Sequence, residues 1–349
     1  MSEEVGMTKE EAAKIAADEV QDDDEFEECF EEEDGIDGKF RVSQEELSII
    51  RAELACEFPD DYTYLSDEYI LSVASKPYSK DPTIRRPLEY TMEKLAHVMQ
   101  WRAEMGAPSM PDLVKLANGP ETAPEAVENP EDLAKAKALV SSLNNGSLYW
   151  HGFTKTGEPI LWVRCNRKPW YPDVDAEINN LILIADTGIR NMPKGVTEFV
   201  VVSDSTSPPP PNPTFMVRLL KALVKGYPDR LHILYSAPVS SIIQFVMNLL
   251  LPLMPGRLAS KVCLSDVDKM KETLAELLEG GEEDIPTFFG GPADHDQFYP
   301  DESACSIRGQ GSLKFDYYGM VERLEKAKVQ YEQNHANDAT TEEEPNGDK

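Results

Sequence analysis

Between Ser240 and Met254 the chain is apolar on almost every helical face. Its only polar residues there are Ser240, Ser241, Gln244 and Asn248, and positions 241, 244 and 248 share one narrow stripe. Ile242, Ile243, Phe245, Val246, Met247, Leu249, Leu250 and Leu251 occupy the remaining faces. A helix that is apolar nearly all round belongs in a core, in a bilayer or against lipid. Spanning a bilayer takes about 20 predominantly apolar residues, and this run is shorter and interrupted. Two environments stay open: a central core helix, or a helix with protein on one side and lipid on the other.

The surrounding pattern alternates strands with helices. SLYWHGF (147–153) and PILWVRC (159–165) are strand-like runs joined by a short turn containing Gly157, a hairpin signature. Residues 173–189 follow helical period, with Ile178, Leu181, Ile182 and Ala185 on one face. TEFVVVS (197–203) reads as a buried strand ending at Asp204, and SPPPP (207–211) stiffens the path into a helix over 213–225. Strands at 231–235 and 262–264 bracket the apolar helix, and a further helix is expected over 266–280. This order predicts an α/β lobe: a mixed, largely parallel sheet flanked by helices. Upstream, residues 60–105 read as helical, and the Pro/Gly/Glu-rich stretch 106–132 as a connector with about one helical turn. The plan is therefore an acidic extension (1–50), a helical region and linker (51–139), the lobe (140–291) and a C-terminal extension with one helix and an acidic tail (292–349).

Charge changes the picture only once it is located. The net charge is −30, but residues 1–50 hold 19 acids against 4 bases, whereas residues 140–290 hold 16 against 14. The acidity sits at the ends, as solvated tails do, and nucleic acid is excluded as a partner because no basic cluster exists to meet phosphates. The opening MSEEVGMTKEEAAK lacks the apolar core of a secretory signal. Five scattered cysteines without CxxC spacing suit a reducing compartment, so the expected location is the cytoplasm with peripheral membrane association. Residues 26–47 superficially look like a calcium loop. With Glu46 as the last ligand, however, positions one, five and six would be Gly35, Lys39 and Phe40, so an acidic helix–turn–helix is preferred. No nucleophile elbow, phosphate loop or HExxH is present, and His97, His151, His232, His295 and His335 are isolated in sequence. No enzymatic activity, metal or cofactor other than a bound lipid is expected. Arg164, Arg167, Lys168 and Trp170 form either a bilayer-facing patch or ordinary surface charge beside a packed tryptophan.

Six short motifs stand in register with one family. They are Trp101-Arg102, Gly157-Glu158-Pro159-Ile160, the strand ending at Asp204, Tyr227-Pro228-Asp229-Arg230-Leu231, Ser260-Lys261-Val262, and Ile285-Pro286 with Phe289-Gly290-Gly291. The chain resembles the CRAL-TRIO lipid-binding family, the fold of the yeast secretory phosphatidylinositol transfer protein and of tocopherol and retinal carriers. The resemblance implies an apolar cavity floored by the sheet and closed by a mobile gate helix at 240–254, with Ile242, Ile243, Phe245, Val246, Met247, Leu249 and Leu250 on that helix. It also implies that Asp229, Arg230 and Lys261 meet a phosphatidylinositol headgroup; a structural ion pair within the turn is the alternative for Asp229 and Arg230. Phe199, Val201 and Leu161 replace the polar side chains that choline-lipid binders carry on the cavity strands. Lys76 and Lys80 stand near the place of the family's upstream basic residues. The implied ligand is a phospholipid, phosphatidylinositol foremost, with transient membrane contact. A non-transferring adaptor and a carrier of a neutral hydrophobic ligand are the alternatives.

Overall fold

The structure is a computed structural model that describes residues 40–78, 81–118, 130–254, 256–298 and 315–339. The acidic extension before residue 40, residues 299–314 and the tail beyond 339 lie outside the described residues.

Helix α1 (Gln44–Glu57) starts where Ser43 caps it: the Glu46 amide donates to the Ser43 hydroxyl, and the Glu46 carboxylate accepts from the Ser43 amide at 2.9 Å. The same carboxylate pairs with Arg85, and that hydrogen bond, helped by Ser43, holds its pKa down at about 2. Glu46 is thus a capping and ion-pairing residue within the described structure. The region read as helical over 60–105 is interrupted. Helix α2 (Asp67–Ala74) leads into a small antiparallel pair, β1 (Pro77–Tyr78) and β2 (Asp81–Arg85), before α3 (Leu88–Met105). The prolines at 77, 82 and 87 explain the break, because each removes a helical donor. The connector holds more helix than expected: α4 (Met110–Asn118) buries Leu113 and Val114, and α5 (Pro130–Leu143) buries Ala136 and Leu139.

The lobe is a five-stranded sheet in the order β3 (Leu148–Phe153), β4 (Pro159–Arg164), β5 (Phe199–Asp204), β6 (Leu231–Ala237), β7 (Val262–Leu264). β3 and β4 form the expected hairpin, and β4 to β7 run parallel in chain order. Helices α6 (Val174–Arg190), α7 (Pro213–Lys221) and α8 (Ser241–Leu250) make the three crossovers. Right-handed crossovers that all step in one direction put these helices on one face. That face carries α6, because the Trp150 indole N–H donates to the Ile184 carbonyl. Gly188 allows the approach: a Cβ there would overlap the Trp150 ring. The opposite side receives α9 (Val267–Leu277), while α10 (Tyr317–Ala339) lies along β3, with Tyr331 against Phe153. An otherwise open sheet edge is thereby covered.

The helical region is fastened to the lobe through a buried polar knot. Arg102 donates to both oxygens of Asp186 at 2.9 and 2.7 Å and to Asp61 at 2.7 Å, with its guanidinium over the Tyr64 ring. The Tyr227 hydroxyl completes the Asp186 shell at 3.0 Å. Beside it Trp101 packs edge-on against Tyr227 and over Gly226, where any Cβ would clash. The Trp101-Arg102 and Tyr227 motifs, far apart in sequence, are one joint.

Candidate functional site: helix α8 and the turn before β6

One row of side chains crosses the whole sheet on the α6 face. Trp150, Leu161, Val201, Leu234 and Val262 are register partners in turn. The first three are buried in the contiguous core, with Phe199 beside them and edge-on to Trp150 at 5.5 Å. Leu234 and Val262 are only half-buried, and Leu264 at the end of β7 is exposed. The strand residues Leu161, Phe199 and Val201 therefore share one face, and all three are packed.

Helix α8 lies in the crossover next to the loosely covered strands. Ser240 caps it, its hydroxyl accepting from the Ile243 amide, and the helix continues through a 3-10 turn at Leu251–Leu253. Ile243 and Leu250 are buried and Val246 and Met247 half-buried, a spacing that marks the inward face. Neither Ile243 nor Leu250 joins the contiguous core. The polar stripe Ser241, Gln244 and Asn248 faces out, and so do Ile242 (38% exposed) and Phe245 (41%). The side chain of Leu249 lies outside the described residues.

The turn before β6 sends its two charged residues different ways. Asp229 adopts a left-handed backbone (φ 59°), a conformation Asp tolerates better than most residues. Its carboxylate sits among three cations of the helical region: Lys76 at 3.0 Å, Lys94 at 3.5 Å and Arg86 at 3.8 Å. Arg230 is 3% exposed, stacks over the Tyr69 ring and donates to the Thr197 carbonyl at 3.0 Å. The two are therefore not a turn ion pair. Lys261 donates to the Leu231 carbonyl and lies 3.4 Å from Glu198, which also meets His232. Asp229 and Lys261 both stand at the N-terminal end of β6. Sequence reasoning missed Arg86, Lys94 and Glu198, since nothing local marks residues more than 60 positions from their partners.

Two surface expectations fail. Arg164 and Arg167 are buried, tied to Asp204 and Asp296, so they form neither a bilayer patch nor ordinary surface charge. Trp170 is the reverse, 54% exposed beside the nearly bare Tyr171. Nor are all the histidines isolated: His151 and His295 lie 4.2 Å apart, centre to centre, in a cage of Tyr149, Trp162 and Phe288. Among the described residues no group of His, Cys, Asp or Glu is arranged to hold a metal ion, and no helix is long and apolar enough to cross a membrane.

Comparison with known proteins accords with this geometry. No curated protein matches the chain. Among 36 matching chains of solved structures is the crystal structure of Sfh5, 14% identical, with a TM-score of 0.43 over 93% of this chain and 100% of that one. A likeness at that level carries no weight for function. The family model of the CRAL/TRIO domain matches residues 143–291, which span the five-stranded sheet, its three crossover helices and the closing Phe289-Gly290-Gly291 turn. This stretch of the chain thus has the sequence pattern of a CRAL/TRIO domain.

Proposed function

We propose that the chain binds a phospholipid, phosphatidylinositol, in an apolar cavity between α8 and the β6–β7 half of the sheet, and transfers or presents it at membranes. The carrying observation is the inward face of α8, which is apolar and buried yet stands outside the contiguous core, over strands that are only half-covered. Burying a sixteen-carbon acyl chain is worth about 13 kcal/mol, at roughly 0.8 kcal/mol per CH₂, so a carrier needs an apolar lining of this kind. Ile242 and Phe245, facing out on the same helix, suit contact with a bilayer during loading.

The headgroup end of this reading is the N-terminal end of β6. Lys261 supplies a cation for the phosphate, and the Asp229 cluster with Lys76 and Lys94 supplies donors and an acceptor for ring hydroxyls. Arg230 contributes by bracing the turn through Thr197 and Tyr69. Phe199, packed against Trp150, fills the place where a choline headgroup would need hydroxyl partners.

Native mass spectrometry of protein purified from cells is expected to show a bound phosphatidylinositol. Lys261→Ala should abolish transfer of phosphatidylinositol between vesicles while leaving the thermal midpoint within a few degrees. Unchanged transfer would favour a neutral hydrophobic ligand, and protein that never carries lipid would favour an adaptor.

A further inference from the structure

A cavity of about 440 Å³ adjoins Arg230. Its walls come from the loop before α2, the C-terminal end of α6, the segment leading to β5, and α10. Four bases line it, Arg190, Lys194, Arg230 and Lys328, against two acids, Glu68 and Glu332. A cationic excess is notable in a chain of net charge −30. Electrostatic focusing in a concave site makes it count, because low-dielectric walls strengthen the field of charges beside them.

Arg230 makes this more than a chance grouping of surface lysines. It is 3% exposed, and one of its nitrogens, Nη2, has no hydrogen-bond acceptor among the described residues. Among the described residues no carboxylate forms an ion pair with it; burial pulls its pKa below the usual arginine value, with Tyr69, Tyr64 and Asp186 acting against that. A buried guanidinium without a counter-anion is costly, and the cost falls when an anion occupies the adjoining space. Glu332 is already engaged, accepting from the Lys194 amide at 3.1 Å, and Arg190 lies 3.5 Å from Asp61 and over the Tyr64 ring.

We propose that this cavity binds the phosphate group of a small phosphate monoester, with Arg190, Lys194 and Lys328 at the mouth and Arg230 in the wall behind. The lining's surplus of two positive charges matches a monoester, which carries about −1.5 to −2 at neutral pH. The volume exceeds that of phosphate alone and falls in the range of small-molecule sites. The lining includes no residue of α8, β6 or β7, and it depends on α10, a helix beyond the CRAL/TRIO match.

The test is calorimetric titration of the full chain with inorganic phosphate and glycerol 3-phosphate, and sedimentation with phosphatidylcholine vesicles containing phosphatidic acid. Saturable binding of the soluble phosphates is expected, weakened about tenfold by Lys328→Gln and again by Arg190→Gln, since a charge-assisted hydrogen bond is worth roughly that factor. Binding to the vesicles alone, lost in the same variants, would assign the phosphate to a lipid headgroup. Both variants sit on helix surfaces, so folding is preserved, whereas Arg230 variants risk the turn. The proposal is overturned if neither probe binds saturably, or if binding is unchanged in both variants. Because phosphatidylinositol transfer should stay normal in Lys328→Gln, failure here is separable from failure of the lipid reading.

Discussion

The two halves of the lobe's sheet share one architecture and differ in how they are filled. Over β3 to β5 the α6 face is closed: Trp150, Leu161, Phe199 and Val201 are buried, Gly188 admits the indole, and α6 is buried on nearly every side. Over β6 and β7 the same row continues as Leu234 and Val262, apolar but half-covered. The first half resembles a crystal of side chains, and the second is covered less completely. On the proposed reading, a fold that must be stable and yet release a lipid gains by separating those tasks, since elements that move come from the less stable end of a structure.

Phenylalanine truncation on the two sides tests this division most directly. Phe199→Ala should cost about 3–5 kcal/mol, the penalty for emptying a packed aromatic site, read as a drop in the urea midpoint. A loss below about 1 kcal/mol would show that this half is not filled. Gly188→Ala should follow at about 1–3 kcal/mol, because the added methyl must push the Trp150 ring or shift α6.

The other face of the filled half supplies a pH test. Burial pushes the His295 imidazole from 6.5 down to about 2, with neighbouring His151 and Arg164 adding to the effect, and burial takes His151 down to about 4. A group depressed in the folded state stabilises fully above its unfolded pKa, and that contribution is lost as the pH falls toward the folded value. Between pH 6.5 and 5 the unfolded chain binds a proton that folded His295 refuses, a cost of about 2 kcal/mol. Urea midpoints should therefore fall between pH 7 and pH 5, and His295→Gln should flatten the fall. A variant with the wild-type slope would assign the dependence elsewhere.

The smallest stability change is expected on the loose side. Phe245→Ala on α8 removes an exposed ring and should move stability by no more than about 0.5 kcal/mol. Its effect should appear in function instead, as slower capture of lipid from vesicles. Unaltered capture would mean that this ring does not meet the bilayer.

Much of this was legible in sequence because it rests on local rules. The Gly157 turn fixes the β3–β4 hairpin, the uninterrupted apolar run FVVV marks β5 as buried, and the polar stripe of α8 faces outward as its spacing requires. Prolines 77, 82 and 87 were equally visible, but what they break the helical region into was not, since a two-strand pairing depends on partners rather than on period. The side-chain contacts were the least legible. Arg164 and Arg167 look like surface charge until Asp204 and Asp296 arrive to bury them, and Asp229 shows no sign of Lys76 or Lys94 at a distance of more than a hundred residues.

Sequence by itself determined the order of strands and helices in the lobe, the apolar character of residues 240–254 and the concentration of acidity at the ends, because periodicity and charge are properties of neighbours along a chain. Tertiary structure alone decided that Asp229 and Arg230 point apart, that the closed and loose halves divide between β5 and β6, and that Arg230 stands behind a cationic cavity completed by α10. Each of these depends on groups brought together by folding, where burial removes water and makes the partner, or its absence, decide the energy.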